Sequence, residues 1–128
     1  MPAAKIPITA RTRVVAVIGD PIEHSRSPLM HNAAFRALGL PFVYVAFRVR
    51  PAEVGEAIAG ARALGLAGLN VTIPHKQAVL PHLDELSPTA RACDAVNTIV
   101  ARDGRLLGEN TDVVGLELDL VERGFARR

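Results

Sequence analysis

The chain has 128 residues, 49% of them hydrophobic, which is enough for one buried core and gives no reason to expect several. Lys and Arg number 15 against 13 Asp and Glu, a formal charge of +2, and the arginines are scattered rather than massed, so composition gives no footprint for nucleic acid. A single cysteine, Cys93, precludes an internal disulfide framework and suits a reducing cytoplasm, and no run reaches the ~20 apolar residues of a membrane span or resembles a signal peptide.

The run "RVVAVIGDP", continuously apolar and closed by Gly19 and Pro21, predicts a strand buried on both faces, as in a parallel sheet. "SPLMHNAAFRALGL" predicts a helix with Ser27 as N-cap, Pro28 at its first position, Gly39 as its stop, and Leu29, Ala33, Ala34 and Leu38 on one flank. A second buried strand is expected over 42–49. It is followed by a helix whose Val54, Ala57, Ile58, Ala61 and Leu64 keep the 3.6-residue period. A third strand runs through "AGLNVTI". After Lys76 a short helix, "KQAVL", is expected to run into Pro81, and another to start at Ser87 as N-cap with Pro88 behind it. "VNTIVARDGRLLGEN" predicts a hairpin turning at Asp103-Gly104, and "TDVVGLELDLVERG" a helix stopped by Gly124 with apolar residues around most of its circumference. The basic tail at 126–128 reads as solvated.

Strands alternating with helices predict an α/β fold: three αβα layers with a mostly parallel sheet and one antiparallel hairpin. Ligands of such sheets gather beyond the C-terminal ends of the strands. Three polar segments converge there, "GDPIEHSRS", "TIPHK" and "GENTD". Asn70 and Thr72 lie two apart and share a face of the third strand, where they either tie down loop backbone or meet a ligand. Lys76 would fall in the first turn of a helix, whose positive end disfavours a cation by ~0.3–1 kcal/mol. A nearby carboxylate or anionic ligand would offset that, and the same field would ease loss of the lysine proton and suit it to acid-base work. A lysine bending into solvent is the alternative. Asp112 is the natural partner, although its place at the head of the last helix is also where an aspartate caps. Ser25, one step outside its helix, is freer than Ser27 to hold a ligand oxygen.

No phosphate-binding G-x-x-x-x-G-K-[ST] run occurs, and Gly19 stands alone where a dinucleotide fingerprint needs three glycines. His24 and His31, like His75 and His82, are seven apart, which is not a metal-ligand spacing, so no metal is expected.

With these segments assembled, "GDPIEHSRSPLMHN", "NVTIPHK", "AVNTI" and "GENTDVVG" resemble, in order, the signatures of the substrate-binding half of shikimate dehydrogenase, the NADP-dependent enzyme that reduces 3-dehydroshikimate to shikimate. The resemblance covers residues 19–115. It implies that Ser25 and Ser27 bind the substrate carboxylate, that Asn70 and Thr72 contact hydroxyls or carboxylate, and that Lys76 is the catalytic lysine. Asn97 and Asp112 follow from the last two motifs, Lys76 and Asp112 acting together at the reacting oxygen. Members of that family continue into a glycine-rich, Rossmann-type domain. The expectation is therefore a catalytic domain over 1–112 and, over 113–128, the start of a helix leading to a NADP(H)-binding domain that this chain does not contain. Such a piece would hold the catalytic pair and transfer no hydride alone. The alternatives are a quinate/shikimate dehydrogenase, a non-catalytic module for shikimate-like acids, and an interaction protein that forms a homodimer through its last helix.

Overall fold

The computed structural model describes residues 5–124; the basic tail lies outside them. Six strands form one sheet: β1 (Arg13–Gly19), β2 (Phe42–Arg48), β3 (Gly68–Val71), β4 (Glu85–Leu86), β5 (Thr98–Arg102) and β6 (Arg105–Glu109), in the order β2-β1-β3-β5-β6-β4. β1 pairs in parallel with β2 and β3, and β4 with β6, whereas β5 runs antiparallel to both of its neighbours. Five strands thus share one direction, and the hairpin's first strand is the exception. Its turn needs positive φ at two successive positions, and Asp103 (52°) and Gly104 (74°) supply it.

The helices are α1 (Ser27–Leu38), α2 (Val54–Ala63), α3 (Pro88–Cys93) and α4 (Thr111–Glu122). β1 sits at the centre of a two-sided burial. Ala16 and Ile18 pack into the larger core with Val54, Ile58 and Ala61 of α2, Leu69 and Val71 of β3, and Ala90 of α3. Val17 packs into a smaller core on the opposite face, with Ile22, Tyr44 and Phe35 of α1. The alternation along one strand therefore builds the three layers.

Several local expectations are corrected. β2 is an edge strand rather than a buried one: Tyr44 is its one buried residue, and Phe47 is 48% exposed. On α1 the inward face is His31, Asn32 and Phe35, while Leu29 and Leu38 face outward. The reason is polar: Asn32 hydrogen-bonds both backbone groups of Tyr44, and His31 stacks on its ring, so the helix docks by those residues. Ser27 is not a cap; the capping position is Arg26, without a side-chain bond, and Ser27 is already helical. Leu64, on the period of α2, falls after the helix ends and is 81% exposed. No α-helix follows Lys76. Residues 76–79 make successive turns and a single 3-10 turn closes at Leu80–His82, because the stretch between Pro74 and Pro81 is too short to propagate a helix.

The capping of α3 by Ser87, whose hydroxyl accepts from the Ala90 N–H at 3.1 Å, matches expectation. α4 forms as expected but buries none of its residues; Leu116, Leu118, Leu120 and Val121 stand exposed.

Candidate active site

A cleft of about 340 Å³ opens at the C-terminal end of β1 and β3, a size suited to a small metabolite. Ser25, Ser27, Asn70, Thr72, Lys76, Asn97 and Asp112 all line it, together with Val17, Pro21, Ile22 and His24. All seven residues singled out in the sequence thus come together, from four separate segments.

The first segment leaves β1 through Gly19. A Cβ there would stand 2.5 Å from Thr72 Cγ2 and 3.2 Å from the Ile73 carbonyl oxygen, so the glycine serves the close approach of β1 to the loop after β3. The chain then turns into α1, with Ser25 Oγ accepting from the Ser27 N–H at 3.3 Å. This helix end carries no side-chain cap and no acidic residue in its first turn. Helix-terminal N–H groups and two serine hydroxyls make this end of the cleft favourable to a carboxylate.

The second segment brings Lys76. His75 beside it is wholly buried, its Nε2 donating to the Val49 carbonyl at 2.6 Å, with Nδ1 unpartnered. This anchor, with the Val96 N–H donating to the Lys76 carbonyl at 2.8 Å, fixes the turn from which the lysine projects. The expected helix dipole is not what governs Lys76, since no helix begins there; a carboxylate does. Lys76 Nζ donates to Asp112 Oδ2 at 2.8 Å.

Asp112 is in turn placed by its neighbours. The cap of α4 is Asn110, whose Oδ1 accepts from the N–H groups of Asp112 (3.0 Å) and Val113 (3.3 Å), so Asp112 is released from capping and points at the lysine. The Lys76 ammonium holds the Asp112 carboxyl below its ordinary pKa, assisted by Asn97 and opposed by partial burial. Asn97 is fixed by donating to Thr111 Oγ1 (2.8 Å) and accepting from the Thr111 N–H (3.0 Å) and the Thr98 hydroxyl (3.0 Å).

Asn70 donates weakly to the Asn97 carbonyl (3.4 Å) and to Thr98 Oγ1 (3.3 Å), and accepts from the Tyr44 hydroxyl at 2.7 Å. Tyr44, Thr98, Asn110 and Thr111 are not singled out by the sequence, and His24 and His75 enter it only as rejected metal ligands. Tyr44 left one signal: it is the only tyrosine of the chain, set in an apolar strand, and a buried phenol requires a partner. Burial pushes its pKa up, against a hydrogen bond from Ser27, which keeps the hydroxyl protonated at neutral pH.

Among the described residues no group of three His, Cys, Asp or Glu side chains is placed to hold a metal ion, and no helix is long and apolar enough to cross a membrane.

An open α/β sheet with a polar cleft at its C-terminal edge, lined by a serine-bearing helix end and by a lysine-aspartate pair, defines an α/β domain built to hold a small polar molecule. A family model described as the shikimate dehydrogenase substrate binding domain matches residues 17–99, and the chain belongs to that family. It is 58% identical over 112 residues to the shikimate dehydrogenase (NADP(+)) of Symbiobacterium thermophilum, covering 88% of this chain and 38% of that protein. The corresponding enzyme of Geobacillus kaustophilus is 61% identical over 103 residues, covering 80% of this chain and 37% of the relative. The crystal structure of shikimate 5-dehydrogenase from Listeria monocytogenes with shikimate and NAD superposes with a TM-score of 0.88 at 44% identity, over 96% of this chain and 43% of that one. The chain therefore spans about two fifths of the length of the relatives it matches.

Proposed function

We propose that this chain is the substrate-holding and proton-supplying part of a shikimate dehydrogenase, acting on 3-dehydroshikimate and shikimate. The observation that carries the reading is the Lys76–Asp112 pair at 2.8 Å, facing the same cleft as the uncapped, serine-bearing end of α1. In this reading Ser25 and Ser27 take the substrate carboxylate, Asn70, Thr72 and Asn97 hold the ring hydroxyls, and Lys76 and Asp112 meet the reacting oxygen.

Reduction of a ring ketone puts negative charge on its oxygen as hydride reaches the carbon, and a proton must arrive at that oxygen. The Lys76 ammonium supplies both the stabilising charge and the proton, and Asp112 holds it in place. In the reverse direction Lys76 takes the hydroxyl proton back. The related enzymes are named for NADP(+), and a dinucleotide would be bound by sequence beyond this chain. The natural division then falls within the first turn of α4, with 1–112 as the catalytic domain and 113–128 as the start of the connection. The reading also takes the protein to be cytoplasmic, on its lone Cys93, and able to form a homodimer through the exposed apolar residues of α4.

The test is a two-dimensional amide NMR titration of the chain with shikimate, repeated on Lys76→Ala. Shifts confined to Ser25, Asn70, Lys76, Asn97 and Asp112, and lost or weakened about tenfold in the variant, support the assignment. A dispersed spectrum in which no peak moves overturns it.

A further inference from the structure

Tyr44 does not line the cleft, yet it lies behind the residues that do. Besides the Ser27 hydrogen bond, the residue is held at its backbone, its ring and its hydroxyl. Asn32 on α1 donates through Nδ2 to the Tyr44 carbonyl and accepts from its N–H, both at 2.8 Å. In a parallel pair the N–H and C=O of one residue point to the same side, so this clamp covers the unpaired edge of β2. The ring of His31 stacks on that of Tyr44 at 4.4 Å with an interplanar angle of 13°. The hydroxyl reaches Asn70 Oδ1 at 2.7 Å.

The proton accounting along this line leaves one arrangement. The Asn70 amide has the Asn97 carbonyl oxygen and Thr98 Oγ1 on one side and the Tyr44 hydroxyl on the other. Turning the amide over would set its oxygen against the Asn97 carbonyl, two acceptors with no proton between them. Nδ2 therefore faces Asn97 and Thr98, Oδ1 faces Tyr44, and the single Tyr44 proton is committed to Oδ1. One lone pair of Oδ1 remains for the cleft, while both Nδ2 protons point to protein acceptors.

We propose that Tyr44 is a positioning residue: its hydroxyl completes the hold that Asn97 and Thr98 place on the Asn70 amide, so that Asn70 presents an acceptor at a fixed angle, and thereby selects ligands that offer a hydroxyl donor at this point. The proposal rests on the functional reading above for the identity of the ligand. The phenol itself touches no ligand.

The experiment uses the same chain and Tyr44→Phe, which keeps the ring stack and the Asn32 clamp and removes one oxygen. In the ligand-free proteins, the Asn70 side-chain amide signals shift or broaden in the variant while those of Asn32 stay in place. Titration with shikimate then shows a loss of affinity of about three- to tenfold in Tyr44→Phe. Titration with cyclohexene-1-carboxylate, which carries the acid and no hydroxyl, shows a smaller loss than shikimate, since only the Ser27 contact of the phenol bears on the carboxylate end. Asn70 signals that are the same in both proteins overturn the proposal, as does an equal loss for both ligands, which would mark a general structural effect. Shikimate that moves no wild-type peak overturns instead the functional reading. The wild-type protein gives a check that needs no variant: a slowly exchanging Tyr44 hydroxyl proton with a cross-peak to the Asn70 side chain. Rapid exchange of that proton with water also overturns the proposal.

Discussion

Lys76 and Asp112, 36 residues apart in the chain, meet at 2.8 Å because two asparagines act on the second of them. Asn110 takes the capping of α4 upon itself, and Asn97 grips the adjacent Thr111 through both ends of its amide.

Removing the lysine charge by Lys76→Met raises the Asp112 pKa toward its ordinary value, since the ammonium is the largest cause of its depression. A carboxyl whose folded pKa is depressed contributes stability that is present above its unfolded pKa, ~3.9, and is lost as pH falls through the lower folded value. Both side chains are partly exposed, at 35% and 56%, so the contribution is limited to about 0.2–1 kcal/mol. Carbon-13 NMR titration of the Asp112 carboxyl measures it; an unchanged titration curve in Lys76→Met would contradict the pairing.

Asn110→Ala removes the cap and the 3.0 Å bond from Nδ2 to the Ala95 carbonyl. The expected loss is about 1 kcal/mol, concentrated on the first turn of α4. Hydrogen exchange at the Asp112 and Val113 amides should accelerate about fivefold or more, while the amides of β1 keep their rates.

Gly19→Ala drives a methyl group against Thr72 Cγ2 and the Ile73 carbonyl, and the backbone there cannot yield without moving the strand. Destabilisation of about 1–3 kcal/mol is expected in urea unfolding. Displacement of Thr72 from the cleft should accompany it, seen as a change in the Thr72 methyl signal.

His75→Ala deletes a side chain that is wholly buried and hydrogen-bonded to the Val49 carbonyl. The expected cost is about 2–4 kcal/mol, from the cavity and the lost bond together. Because the same residue anchors the turn behind Lys76, the Lys76–Asp112 contact loosens as well. A melting temperature within a degree or two of wild type would count against this anchoring.

The elements legible in the sequence were those whose reasons are local. β1 reads as an apolar run closed by Gly19 and Pro21, β3 lies within the expected 67–73, and the Asp103-Gly104 turn reads from the two residues that tolerate positive φ. Lys76 is legible as a residue in need of a carboxylate, although the helix dipole that suggests it does not operate there. What stayed hidden depended on contacts between distant segments. The inward face of α1 is polar, so a count of apolar periodicity picked the wrong flank; the partner of Asn32 is backbone on β2. Asp112 is the local exception: whether it caps its own helix is decided by Asn110, two residues earlier. Tyr44 and His75 gave only the weak signal of a polar ring in apolar surroundings, with partners in other elements.

α4 is tied to the domain at its first turn and lies otherwise outside the core. A swing of the helix about that first turn would have its fulcrum at the chemistry. Its twelve residues extend about 18 Å, so a 10° swing at the fulcrum carries its far end about 3 Å while Asp112, within about 3 Å of the pivot, moves only about 0.5 Å. Whatever load the helix bears, large excursions at its tip leave the carboxylate nearly still against Lys76.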